Sequence, residues 1–435
     1  MAGNEIGSGA MMRNLTFGWP THQLTDDPRL AYNSISKTYC RLIYDSLLDI
    51  ELETGRLLPW LAASWHYHDP LTLELTIARD RRFSDGTPLT PQAVVQSFAG
   101  IAALQEVSPL PAAVTMLAGL DSVEAGTDSV TFHFVRHNAA FLRSLASVNL
   151  AIRNAQGLGT GRWRPVPGGV TDDSRRLMFE KADTGDLYAG AIDGHRLAET
   201  HNPGISYGLC PNTSRGPLTD PAVRRALSLL IDRSALRPIL DAHGYSVASS
   251  VLTPTTDGYR DCSAELAYDP VTARRLLATA GAQRLSFDVV FNSTFSPVDA
   301  AVLTEVAAQW REHGIELALA DVGFPELRSR QEAGDYDFRF FYFTGADPDL
   351  LRYQFAVTQR NMNRRNAADE LDILLDAQLT CADPDARREL VDVIQRRIVE
   401  SGLWLPLCNV RTVTSYRPDA LTGVHLDAEA LARIP

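Results

Sequence analysis

Apolar and polar positions alternate through much of the first third of the chain, whereas apolar residues recur at helical spacing through the second half. Leu15 to Trp19 is a short strand-like run. His66 to Ile77 alternates on both sides of Asp69-Pro70, which predicts a hairpin, and Ser129 to Phe134 alternates again. Asp45 to Ile50 reads as a strand running into a turn over Glu51 to Gly55. Thr90 ahead of Pro91 marks a helix start, with Val94, Val95 and Phe98 as its apolar face. Asp173 to Thr184 reads as a helix. Beyond it, Asp220 to Leu230 and Asp269 to Ala280 both open with Asp-Pro, a cap followed by a residue suited to the first helical position. Strands are expected over Leu285 to Phe291, Ile315 to Val322 and Asp337 to Phe343. Helices are expected over Val302 to His313, Ala368 to Leu379 and Pro384 to Glu400. Helices and strands in alternation are the signature of an α/β layer structure.

Length adds a second constraint, because 435 residues exceed what one core usually accommodates, so two domains are expected. The net charge of -12 and the absence of a basic block argue against nucleic acid as a partner. No apolar run is long enough for a membrane span, so no membrane insertion is expected. Five cysteines, Cys40, Cys210, Cys262, Cys381 and Cys408, form no C-x-x-C pair. They read as scattered buried thiols and suit a reducing compartment. Residues 1–11 have neither the basic nor the apolar region of a secretory signal and read as an added linker, and the Met11-Met12-Arg13 that follows Ala10 suggests a retained initiator methionine. A cytoplasmic location is therefore expected, or a periplasmic or extracellular one if a signal was removed.

Seven segments then fall in a familiar order. Leu58-Pro-Trp-Leu-Ala-Ala-Ser-Trp65 fits "P-x-L-A-x-S-W", and Phe83-Ser-Asp-Gly-Thr-Pro-Leu-Thr90 fits "F-x-D-G-T-P-L-T". Gly159-Thr-Gly161 fits "G-T-G". Asn212 to Arg233 carries the "V-R-x-A-L" and "I-D-R" landmarks, and Tyr268-Asp-Pro270 with Ala280-Gly281 fits "Y-D-P … A-G". Asp335-Tyr-Asp337 and Leu371-Asp372 complete the set. In these segments the chain resembles the family 5 extracellular solute-binding proteins, whose members bind peptides, nickel complexes and opines. The resemblance implies a two-lobed α/β, periplasmic-binding-protein-like fold (type II, cluster C) with an extra subdomain inserted in the first lobe. It places the first lobe at residues 12–215 with 405–435, the inserted subdomain at about 36–150 and the second lobe at 216–404, with the crossings near Asn212 to Pro217 and Pro406. It implies a small-molecule ligand enclosed by hinge closure, an ABC permease as a partner and a monomer. Most of the matching residues are structural: Gly86 and Gly161 suit tight turns, and Asp232-Arg233 reads as a local ion pair or cap.

The chain also departs from the family. Peptide binders use the first Asp of a "T-G-D-x-G-D-P-D" run for the amino group, but here the run is Thr344-Gly-Ala-Asp-Pro-Asp349. The stretch from Phe291 to Pro297 lacks the Arg that dipeptide binders use for the carboxylate. A zwitterion buried without counter-charges is costly, which disfavours an ordinary dipeptide. The region after Gly161 is short, which implies a differently shaped cleft. The ligand-contacting residues expected from cleft-facing loops are Asp347 and Asp349 for a cation, Arg352 for an anion, Asn212 and Asn292 for hydrogen bonds, and Trp19 and Phe343 as apolar walls. His66 and His68 have a metal-like spacing, but they fall on the family's outer hairpin and read as surface. No phosphate loop, nucleophile elbow or dinucleotide fingerprint is present, so no cofactor is expected. The alternative is a cytosolic descendant of the fold, acting as an enzyme or carrier in a biosynthetic pathway.

Overall fold

The computed structural model describes residues 12–19, 24–51, 56–107, 111–200, 205–254, 256–282, 284–293, 298–343, 345, 347–410, 413–427, 429 and 431–434. The expected linker at 1–11 and the turn at 52–55 lie outside these residues.

A seven-stranded mixed sheet forms the first lobe around Arg13–Trp19. This strand runs parallel to Arg175–Lys181 on one side and to Leu187–Tyr188 on the other. Leu15 and Phe17 lie level with Leu177 and Phe179, and all four side chains are buried. The helix Ser34–Ile43, capped by Asn33, packs Ile35, Tyr39 and Ile43 onto this core. The expected helix over Asp173 to Thr184 is therefore corrected to a strand. Leu177 and Phe179 alternate with exposed or half-buried neighbours, and Asp172 turns the chain into the strand by accepting from the amides of Ser174 and Arg175.

The inserted subdomain is a four-stranded antiparallel sheet, in the order Ala62–Asp69, Thr72–Ile77, Ser129–Phe134, Leu120–Ala125. The helix Pro91–Ala102 covers it, with the Thr90 hydroxyl accepting from the Ala93 amide. Its core begins at Leu47 and ends at Ile152, whereas the Ser34–Ile43 helix belongs to the first-lobe core. The expected start of the insert near residue 36 thus moves about ten residues along the chain.

The second lobe is a six-stranded sheet in the order Ser246–Val247, Leu405–Val410, Ile205–Pro211, Phe338–Phe343, Ser286–Phe291, Glu316–Asp321. One face packs on Pro221–Leu229, Pro270–Thr279 and Asp299–Glu312, and the other lies over Leu350–Phe355, Glu370–Thr380 and Pro384–Glu400. Residues 205–215 and 405–410, assigned to the first lobe from sequence, sit in and beside this second sheet. Ile205–Pro211 hydrogen-bonds to Phe338–Phe343 and to Leu405–Val410, so burial on both faces fixes its lobe. The chain therefore leaves the first lobe after Ala198 and re-enters it at Ser415, rather than crossing at Asn212 to Pro217 and Pro406. At their first-lobe ends the two connectors meet, the Ala198 amide donating to the Thr414 carbonyl at 2.8 Å.

Candidate functional site

Strand direction locates the cleft. In the first lobe, Arg13–Trp19, Arg175–Lys181 and Leu187–Tyr188 are parallel, so Trp19, Lys181 and Tyr188 share one edge. In the second lobe, Ser286–Phe291, Glu316–Asp321 and Phe338–Phe343 are parallel, and their ends share an edge with Ile205 and Val410. Because the connectors leave Ser415 and Ala198 for Val410 and Ile205, these two edges are the ones the crossings join. Ligands of open α/β sheets gather outside the carboxyl ends of strands.

On the first-lobe side the edge holds a hollow of about 500 Å³, lined by Leu24, Asp26, Tyr39 and the Pro165–Gly169 turn. The turn adjoins the strand end through the bond from the Phe179 amide to the Gly168 carbonyl. The Tyr39 hydroxyl donates to the Gly169 carbonyl, and burial together with Asp26 pushes its pKa up to about 12, so it stays a neutral donor. On the second-lobe side Tyr342 stacks on Tyr207 at 5.0 Å, and burial pushes Tyr342 up to about 12. Sequence reasoning missed both tyrosines; the Pro-Gly-Gly run at Pro167 to Gly169 was the available signal for the turn.

The seven expected contact residues separate into groups. Trp19 stands at the cleft edge but is buried against Phe179, with rings 6.1 Å apart. Asn292 stands one residue beyond its strand and donates to the Val322 carbonyl, tying two strand ends together. Phe343 ends its strand at the cleft edge; its side chain lies outside the described residues. Asn212 is corrected: its strand runs antiparallel to Phe338–Phe343, which carries it to the opposite edge, where it donates to the carbonyls of Gly334 and Tyr336.

Asp347, Asp349 and Arg352 do come together, but with one another and with Arg387. Arg387 grips Asp347 at 2.7 and 3.2 Å and reaches Gln378 Oε1. Gln378 Nε2 donates to Asp349 Oδ1 at 2.8 Å, and Arg352 grips both oxygens of Asp349 at 2.8 and 2.9 Å. Arg352 is only 2% exposed. The charges expected to meet a ligand are thus neutralised internally, because a buried ion without a partner is too costly to keep. The same network touches the inserted subdomain. Arg352 Nη2 lies 3.4 Å from the Thr115 carbonyl, and nearby the Ala139 amide donates to the Leu379 carbonyl at 2.8 Å. The second lobe and the insert are therefore in direct contact.

His66 and His68 lie on the outer hairpin with rings 5.0 Å apart, and His68 Nε2 is 2.8 Å from Glu74. Among the described residues no group of three His, Cys, Asp or Glu side chains converges on a metal position. No helix among them is long and apolar enough to cross a membrane.

Comparison with known proteins agrees with this geometry. A probable di/tripeptide-binding protein of Pseudomonas aeruginosa is 29% identical over 205 residues, which cover 46% of this chain and 39% of that protein. The chain spans about two-fifths of the length of the curated relatives it matches first, at 39% and 41%. Among solved structures, a dipeptide-binding protein from a Pseudoalteromonas species in complex with Met-Leu superposes with a TM-score of 0.80 at 16% identity, covering 97% of this chain and 100% of that one. AgaA of A. tumefaciens in complex with agropinic acid superposes with a TM-score of 0.78 at 18% identity, covering 97% and 99%. The two-lobed architecture is thus shared across nearly the whole chain. The family model described as bacterial extracellular solute-binding proteins, family 5 Middle, matches residues 56–186 and 169–363, more than half of the sequence, and the chain belongs to that family.

Proposed function

We propose that this protein encloses a small polar organic ligand between its two lobes by hinge closure and presents it, as a monomer, to an ABC permease. The observation that carries this reading is the pair of strand-end edges facing the two chain crossings, whose first-lobe ends meet at Ala198 and Thr414, the arrangement from which a clamp closes. The relatives' ligands, Met-Leu and agropinic acid, are both small and carry a carboxylate. A dipeptide held by both charged ends is disfavoured here, because Asp347 and Asp349 are engaged by Arg387 and Arg352. Tyr39 and Asn292 are the polar contacts we assign to the cleft, with Trp19 at its apolar boundary.

Native mass spectrometry of the purified protein, before and after denaturation, tests the reading. A co-purified small molecule released on unfolding is the expected result, at a stoichiometry of one per monomer. A ligand-free mass, with no thermal stabilisation by any member of a dipeptide and opine panel, would sink it. One observation favours a second reading, a cytosolic carrier built on the same fold: the five cysteines are unpaired and four of them are buried, as suits a reducing compartment. Cell fractionation decides between the two, since recovery with the periplasmic or extracellular fraction excludes the cytosolic carrier.

A further inference from the structure

At the edge of the second-lobe sheet away from the cleft, a pocket of about 370 Å³ is lined by Ser214, Arg360, Asn361, Arg364, Arg365 and Asn366. Its position follows from strand direction: Ser214 lies beyond Pro211, the end of Ile205–Pro211 remote from the crossings. Three arginines around one hollow are unusual in a chain of net charge -12. Only Arg365 is compensated, by Asp369 and Asp372. Among the described residues Arg360, Arg364 and the neighbouring Arg339 have no carboxylate within ion-pair distance. Arg360 donates to Gln354 Oε1, Arg364 to the carbonyls of Gln331 and Glu332, and Arg339 to the carbonyl of Met362.

Arg339 and Arg360 also share one aromatic ring, each guanidinium carbon 4.6 Å from the centre of Phe341. Both guanidiniums therefore sit at one ring with no carboxylate partner among the described residues. Arg339 is buried, whereas Arg360 is open to solvent and so to an incoming anion. The backbone is constrained as well, since Asn361 and Arg364 both adopt left-handed conformations, with φ of 45° and 56°. An oxyanion between Arg360 and Arg364, which line the pocket together, would supply the missing counter-charge. Two uncompensated guanidiniums suit a doubly charged phosphate better than a singly charged carboxylate.

We propose that Arg360 and Arg364, with the side-chain amide of Asn366, form a second binding site for a phosphate group, separate from the interlobe cleft. The site takes inorganic phosphate or the phosphate of a small phosphomonoester, and the pocket has room for either.

Titration of the full chain with inorganic phosphate, followed by calorimetry and by phosphorus NMR line width, tests this. Saturable binding at one site per chain is expected, weakened roughly tenfold or more in the R360Q/R364Q double variant and unchanged in R79Q, which removes an exposed arginine of the inserted subdomain. The charge-preserving R360K/R364K variant guards against a folding defect and is expected to bind more weakly than the original chain, because lysine lacks the fork. Glycerol phosphate titrated into the phosphate-loaded chain separates the sources: displacement of phosphate assigns a phosphomonoester, and failure to displace assigns the free ion. Absence of saturable binding overturns the proposal, as does undiminished affinity in both double variants.

Discussion

Asp347 is held by an arginine that the local sequence does not announce, and Asp349 by one only three residues on. Arg387 lies 40 residues beyond Asp347 and is linked to the Arg352–Asp349 pair through Gln378, whose Oε1 accepts from Arg387 and whose Nε2 donates to Asp349. Removing Arg387 strands a largely buried carboxylate, so Arg387→Ala is expected to cost about 3 kcal/mol of stability, read from chemical denaturation midpoints. A change within a few tenths of a kcal/mol would mean that solvent already screens the pair. Asp372 gives a pH-dependent counterpart. Burial works to raise its carboxyl, but the amides of Val357 and Asp369 and the guanidinium of Arg365 outweigh burial and hold it below the ordinary range. A folded pKa lowered in this way stabilises above the unfolded value of about 3.9, and the contribution is lost as pH falls through the folded value. Asp372→Asn should therefore lower the melting temperature near neutrality and lessen its fall below about pH 4. Equal losses at both pH values would contradict that assignment. The sequence was legible at this scale only for local effects. Asp232 caps the turn that follows it, as its type suggests, but Arg233 turns away to donate to the carbonyls of Pro406, Ser228 and Leu266.

Elements with local signals were legible, and elements defined by distant partners were not. The Asp-Pro starts at Asp220 and Asp269 are observed as caps, because a cap depends on two or three consecutive residues. Arg175–Lys181 was misread because its charged ends resemble a helical surface, while its strand identity comes from pairing with Arg13–Trp19, far away in the chain. The lobe boundaries failed for the same reason, since Ile205–Pro211 and Leu405–Val410 are assigned by their neighbours across the sheet. In the candidate site, Asn292 and Phe343 fell at the cleft edge because strand ends can be read from the pattern, whereas Asn212 required the strand's direction. One contact at this scale is open to a clean test. The Ala139 amide donates across to Leu379, and Asn138 Oδ1 accepts from the Ala140 amide, so position 139 resembles a first helical position. Proline is tolerated there but has no N–H to donate. Ala139→Pro is expected to loosen the insert from the second lobe and raise the ligand-free radius of gyration in solution scattering. An unchanged scattering profile would mean that the contact does not hold the two parts together.

At the scale of the molecule, both the inserted subdomain and the second lobe are loops let into the first lobe, the former between Tyr44 and Trp163 and the latter between Ala198 and Tyr416. The first-lobe core therefore draws on three stretches of chain. The last of these supplies Tyr416, Leu421, Val424, Leu426, Leu431 and Ile434, and Arg41 lies beside Asp427 and Glu429. If closure joins the two edges as proposed, ligand should slow amide exchange most in the paired connectors around Ala198 and Thr414 and least in the outer hairpin of the insert. Uniform slowing would speak against a hinge.

The late arrival of residues 415–434 sets an order of events during synthesis. The ribosome releases the insert and then the whole second lobe before the strand Ser415–Tyr416, which fills the place between Leu187–Tyr188 and Arg196–Leu197, has left the exit tunnel. The first lobe thus starts before the insert and the second lobe and is finished after them, and until then its half-built apolar core is what a nascent-chain chaperone would meet.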